Sequence, residues 1–148
     1  IRTTLMLGFP GEDRAAFEKL LDFVKTSQPD WMGSFTYSRE EDTPAYSMRN
    51  QKDHDKAQRT AKKWQKELEE AQSPITEKRL EKFVGNTYRA LIEEKIEGED
   101  LAIGRIYSQA PDVDGLTVIM GRDLTPGDTV MVGIRAVRGV DLEGVKID

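Results

Sequence analysis

Apolar and polar positions along the chain fall into three regimes, each predicting a different kind of element. Residues 2–7, Arg-Thr-Thr-Leu-Met-Leu, are rich in β-branched and apolar side chains and stop at Gly8-Phe9-Pro10-Gly11. That is the pattern of a buried strand ending in a turn. Phe17, Leu20, Leu21 and Val24 then recur at helical spacing, with Glu12 and Asp13 placed to complement a helix N-terminus and Gln28-Pro29 closing the segment. Residues 31–37 supply a second strand. Strand, helix and strand joined by short loops predict a βαβ unit with parallel strands and a right-handed crossover.

Residues 38–50, which include Thr43-Pro44, predict an irregular polar loop. From residue 53 to about 83 the chain is dense in Lys, Glu, Gln and Ala, with Ala57, Ala61, Trp64, Leu68 and Ala71 tracing one narrow apolar stripe. This predicts a long helix. Pro74 leaves two outcomes open: a kink, or a second helix capped by Ser73 with Pro74 in its first turn. Gly85 and Asn86 tolerate the left-handed conformation that ends a helix. Beyond them the pattern alternates, in runs at 87–93, 101–107, 116–120, 129–140 and 142–147, punctuated by Gly98, Pro111-Asp112, Gly115, Pro126-Gly127 and Gly144. Five short strands with regular turns predict a small antiparallel, OB-like barrel. The fold class is therefore α/β followed by all-β.

Composition narrows the chemistry. The 148 residues leave room for one or two compact domains. With no cysteine, this chain offers no disulfide, no thiolate metal site and no cysteine nucleophile. Its longest apolar runs, 5–10 and 116–120, fall far short of the roughly 20 residues that span a bilayer, so no membrane helix is expected. The opening Ile-Arg-Thr-Thr is neither an initiator methionine nor a signal sequence, as expected of a chain that begins within a longer protein. The net charge is −5, divided as −1 over residues 1–81 and −4 over residues 82–148. Such a balance disfavours nonspecific binding to nucleic acid or anionic lipid and favours a basic protein as partner of the second half.

Several residues invite a chemical reading that a plainer one outweighs. His54, between Asp53 and Asp55, is expected to be solvent-exposed, because neighbouring side chains on a helix diverge and cannot converge on a metal. Glu67, Glu69 and Glu70 sit among Lys62, Lys63 and Lys66 and read as a solvated face. Trp31 and Trp64 read as packing anchors. The glycines of Gly8-Phe9-Pro10-Gly11-Glu12 suit either a tight strand-to-helix turn or a loop whose backbone a ligand approaches closely.

The longer string Arg2-Thr3-Thr4-Leu5-Met6-Leu7-Gly8-Phe9-Pro10-Gly11-Glu12, followed by Phe35-Thr36-Tyr37-Ser38 and Thr43-Pro44-Ala45, closely resembles the end of the radical SAM domain of methylthiotransferases. The resemblance implies an open, TIM-like barrel of βα units of which residues 1–50 are the terminal βαβ part. It also implies that Met6, Gly8, Phe9, Pro10, Gly11 and Glu12 lie near S-adenosylmethionine, with Phe35, Tyr37 and Ser38 of the last strand flanking its adenine. Asp42 stands where the family usually has glycine, a position suited to the left-handed region that Asp enters less readily. A barrel missing its other strands is expected to leave an edge and an apolar face of residues 1–50 uncovered.

Residues 83–148 resemble a TRAM domain, with 51–82 as a helical connector. Gly104-Arg105-Ile106-Tyr107-Ser108-Gln109-Ala110-Pro111-Asp112-Val113-Asp114-Gly115 looks like the RimO type, which adds a methylthio group to the β-carbon of an aspartate in the twelfth small-subunit ribosomal protein, rather than the MiaB type acting on tRNA. This implies a cytoplasmic setting and a docking role for Arg105, Tyr107, Asp112 and Asp114. For Arg105, Tyr107 and Asp114 the plainer reading is that they fix barrel turns through local hydrogen bonds. The resemblance covers nearly all of this chain but only the last third of a typical member. The family's S-adenosylmethionine chemistry uses two 4Fe-4S clusters whose cysteines are absent here, so this chain alone is expected to be inactive. A tRNA-modifying relative, or a stand-alone RNA- or protein-binding TRAM module, is the alternative.

Overall fold

The computed structural model describes residues 1–147. It divides into two compact units, Ile1–Thr76 and a second beginning at Glu77. The first contains strand β1 (Arg2–Leu7), helix α1 (Arg14–Ser27), strand β2 (Trp31–Thr36), a 3-10 turn (Pro44–Met48) and most of helix α2 (Gln51–Leu80). β1 and β2 pair in parallel, with Arg2 opposite Trp31 and Leu7 opposite Thr36, so the βαβ expectation is met. Asp13 caps α1 by accepting from the Ala16 N–H at 2.8 Å, and Gln28 ends it in the left-handed region at φ 45°. The loop at 38–50 is less irregular than its composition predicts, since Pro44 starts a short 3-10 helix there.

Strand alternation divides the two-stranded sheet into a covered and an open face. Leu7, Phe17, Val24, Ala61 and Leu68 form a core to which Leu5, Met32, Trp64 and Ile75 add partly buried surface. The helical stripe on α2 is thus packed against β1, β2 and α1. Trp64 anchors it, stacked on Phe17 with centroids 5.1 Å apart. Burying side chains such as Phe17 and Leu68 contributes about 1.5–3 kcal/mol each. On the other face Met6 and Phe35, register partners, are 41% and 50% exposed.

α2 also completes the hydrogen bonding along β2. Backbone alternation turns the carbonyls of Asp30 and Ser34 away from β1. Thr76 donates to Asp30 at 3.0 Å and Gln65 to Ser34 at 3.0 Å, while Gln72 donates to Pro29 at 2.9 Å and Gln58 to Tyr37. Gln58, Gln65 and Gln72 are seven residues apart. Between Gln58 and Gln65 seven helical residues advance about 10.5 Å, close to the roughly 10 Å of the three residues from Tyr37 back to Ser34, so this part of the helix face keeps pace with the antiparallel strand. Pro74 lies inside an unbroken α2, exposed, where the carbonyl deprived of its donor meets water. Asn50, rather than Ser73, acts as a cap, its side chain accepting from the Asp53 N–H at 2.9 Å.

The second unit is a closed barrel in the order β3-β4-β5-β7-β6, with β3 (Thr87–Lys95), β4 (Leu101–Ile106), β5 (Thr117–Met120), β6 (Thr129–Arg138) and β7 (Asp141–Ile147). The expectation of an all-antiparallel barrel needs one correction: β5 and β7 pair in parallel. Two strands that never follow each other directly in sequence close the cylinder, and closure removes the free edge. The lumen is filled by alternating residues such as Ile92, Ile106, Ile119, Val132, Ile134 and Leu142. Gly104 permits β4 to approach β3, because a Cβ there would lie 2.3 Å from the Leu91 carbonyl oxygen and 2.9 Å from Ile119 Cδ1.

Gly104→Ala should destabilise the barrel by about 1–3 kcal/mol, read as a lower urea midpoint, because backbone rather than a flexible side chain must move. Arg14 bridges α1 to α2 through a two-pronged contact with Glu67 at 2.9 and 3.1 Å, which raises the guanidinium's pKa and holds the Glu67 carboxyl below its usual range. A depressed folded-state pKa means that the contribution is complete above the ordinary carboxylate range and disappears as pH falls through Glu67's lowered value. Both groups are exposed, so the effect is small and screened by salt. Glu67→Gln should therefore lower the melting temperature slightly at neutral pH and converge with the parent chain once the pH has fallen below Glu67's lowered pKa.

Candidate functional site

The strand ends of the first unit bring several expected residues together. Gly8, at φ 82°, is buried; its N–H donates to the Glu12 carboxylate and its carbonyl accepts from Arg49 at 3.0 Å. The space a side chain would occupy is filled by α2, since a Gly8 Cβ would stand 2.7 Å from Ala61 Cβ. This glycine thus admits a helix, and both its backbone groups are already satisfied. Phe9, 38% exposed, meets Tyr37 edge to face at 5.2 Å. Tyr37 is buried, and its N–H extends the ladder to the Leu7 carbonyl at 2.7 Å.

Pro10 and Gly11 form the turn, Gly11 exposed at φ 98°. Glu12 lies half-buried beside Gly8, on a cleft of about 260 Å³ that also touches Arg49, Lys56 and Trp64. Met6 and Phe35 stand on the open sheet face. Ser38 turns away, its hydroxyl donating to Glu40. Asp42 takes up the left-handed conformation at φ 61° that its place before Thr43 calls for.

His54 is a correction. It is 8% exposed, with its ring edge-on to Tyr37 at 5.8 Å. The signal was present in the spacing: the stripe at 57, 61, 64, 68 and 71 extends backwards to 54, so a helix laid on that stripe must bury it. Tyr37 Oη and His54 Nδ1 are both buried without a hydrogen-bonding partner. Arg49 and Gln58 also bond the strand ends, and Arg39 bonds the Arg49 carbonyl; the two arginines carried no periodic signal in the loop, whereas the seven-residue repeat of glutamines was readable.

On the barrel, Arg105, Asp112 and Asp114 line one cleft of about 350 Å³ together with Glu93 and Glu94. Arg105 bonds Glu93 across the β3–β4 pair at 2.7 Å. Asp114 ties its own turn together, accepting from the Ala110 N–H at 3.0 Å. Tyr107 is elsewhere: 81% exposed, it joins an aromatic group with Phe83 at 6.3 Å and Tyr88 at 6.0 Å. Gln109, within the same string, is a core residue whose Oε1 accepts from the Ile106 N–H at 3.0 Å and from Thr117 at 2.6 Å.

Comparison with known proteins covers the whole chain. Residues 84–147 match the TRAM domain family. Across 99% of its length the chain is 43% identical to the ribosomal protein uS12 methylthiotransferase RimO of Treponema denticola. It is 42% identical to that of Petrotoga mobilis and 40% identical to that of Bdellovibrio bacteriovorus, in both cases across 97% of the chain. It spans about a third of each relative, 33%, 32% and 31% respectively.

Gly8→Ala tests the packing at the strand end. An L-residue at this φ and a methyl against Ala61 should together cost about 2–4 kcal/mol in chemical denaturation, whereas Gly11→Ala, which meets no atom within 4 Å, should cost only the conformational part of about 1 kcal/mol.

Proposed function

The chain belongs to the RimO methylthiotransferase family, of whose members it spans about a third, and we propose that it forms one wall of their S-adenosylmethionine pocket plus the barrel that docks the protein substrate. In the complete enzyme the reaction is methylthiolation of an aspartate β-carbon in the twelfth small-subunit ribosomal protein. One observation carries the pocket reading: the sheet face away from α1 and α2 is left apolar and open at Met6 and Phe35, beside the Phe9–Tyr37 contact at the strand ends. A purine ring suits such a surface, because apolar and aromatic side chains bury it without requiring charge.

The residues present fit S-adenosylmethionine as shape and apolar surface. Met6, Phe9 and Phe35 would contact it, while Tyr37, buried behind Phe9, would hold that ring in place. Gly8 contributes backbone shape, since its N–H and carbonyl are engaged by Glu12 and Arg49. When bound in the whole enzyme, S-adenosylmethionine supplies the radical chemistry of the family. The 4Fe-4S clusters find no ligands in this chain: it has no cysteine, and no metal-binding group of His, Cys, Asp and Glu occurs among the described residues. This chain by itself is therefore inactive in our reading, and its own work is to bind and orient.

For the partner, the support is electrostatic. The barrel half carries −4, and its cleft presents Glu93, Glu94, Asp112 and Asp114 around a single guanidinium already paired to Glu93. A basic ribosomal protein is attracted to that field, and a phosphate backbone is repelled by it. The exposed Tyr107 on its aromatic group is the one feature favouring stacked RNA bases. No helix among the described residues is long and apolar enough to cross a membrane.

The partner assignment is tested by mixing the purified chain separately with the ribosomal protein and with tRNA at two salt concentrations. Binding to the protein that weakens with salt, and weakens several-fold further in a Glu94→Gln, Asp112→Asn double variant, is the expected result. Strong tRNA binding with a steep salt dependence, and none to the protein, would overturn it.

A further inference from the structure

We propose that Arg49 and Gln58 are positioning residues that lock the ends of β1 and β2 together, presenting the apolar contact surface in one fixed geometry. The role rests on the cofactor reading above; the lock itself consists of contacts between the loop, α2 and the strand ends. Arg49 lies just before α2 and reaches back with two prongs, Nη1 to the Gly8 carbonyl at 3.0 Å and Nη2 to the Phe9 carbonyl at 3.3 Å. Gln58 donates to the Tyr37 carbonyl, one residue past β2. Two of the three carbonyl groups so held belong to the residues whose rings, Phe9 and Tyr37, touch each other.

Arg49 is itself held from the β2 side. Arg39, two residues beyond Tyr37, shares its Nε–H between the carbonyls of Tyr46 at 3.0 Å and Arg49 at 2.8 Å, and its guanidinium lies 3.5 Å over the Tyr46 ring. The chain leaving β2 therefore grips the backbone of Arg49, whose side chain grips the chain leaving β1. His54 completes the frame by packing edge-on against Tyr37. Both guanidiniums are used on carbonyl oxygens, where the planar fork can bind two acceptors at once. A lysine has no such fork, so Arg49→Lys should keep the charge and lose the geometry.

The experiment uses this chain, with S-adenosylmethionine as the probe, and compares Arg49→Met, Arg49→Lys and Gln58→Met with Gln72→Met. Gln72 makes the same kind of bond at the far end of β2, to Pro29, and serves as the control for loss of stability alone. Amide hydrogen exchange should rise by about ten-fold or more at Glu12 and Tyr37, whose N–H groups bond the Phe9 and Leu7 carbonyls, in the two Met variants, less in Arg49→Lys, and stay unchanged there in Gln72→Met. Titration of S-adenosylmethionine, followed by backbone amide shifts, should show affinity about ten-fold weaker in Arg49→Met and unchanged in Gln72→Met. Exchange that stays slow in both Met variants overturns the lock. Exchange that rises while affinity holds overturns the positioning role and leaves a structural one. A parent chain whose amides do not respond to S-adenosylmethionine defeats the cofactor reading instead, and the exchange data then decide the lock alone.

Discussion

A two-stranded sheet cannot satisfy its own backbone, and that constraint organises the first half of this protein. One edge of β2 is paired to β1; the carbonyls of Asp30 and Ser34 point the other way and would need donors from elsewhere. α2 supplies them through Thr76 and Gln65, with Gln72 and Gln58 at either end of the strand. The helix must therefore run antiparallel to β2 at a fixed azimuth, with the stretch from Gln58 to Thr76 alongside the strand and its exit. Pairing and packing agree in this arrangement. The same azimuth that aims the glutamines turns Ala61, Trp64 and Leu68 onto Leu7 and Phe17.

From that placement the strand-end geometry follows. Because α2 lies so close, residue 8 has no room for a side chain. Because its N-terminal turns pass the exits of both strands, Arg49, His54 and Gln58 are the side chains available to hold Phe9 and Tyr37. A face of the sheet that no element of this unit covers remains apolar at Met6 and Phe35. In the proposed reading this face is the one a cofactor contacts, and rigidity of the rings beside it would limit the ordering cost of binding.

The barrel solves the edge problem differently, by closing on itself through a parallel β5–β7 contact. Closure demands close approach at Gly104 and buried hydrogen bonds at Gln109 and Thr117, so much of the distinctive 104–115 string is occupied with architecture. What remains outward is a cleft of carboxylates around the Arg105–Glu93 pair on one part of the surface and Tyr107 on another. Four residues that looked like one docking patch in sequence are thus three together and one apart.

The order of elements, their types and the apolar stripe of α2 were legible in the sequence, because periods of two and 3.6 residues report which side of an element avoids water. The absence of cysteine and the acidic second half were equally plain there. Three-dimensional packing alone decided what each side meets. That Gly8 makes room for Ala61, that β5 finds β7, and that His54 is buried against Tyr37 all depend on residues brought together from distant parts of the chain. Periodicity names the face that must be covered; the identity of the cover is set by which remote backbone still lacks donors and which remote side chain has the volume to fit.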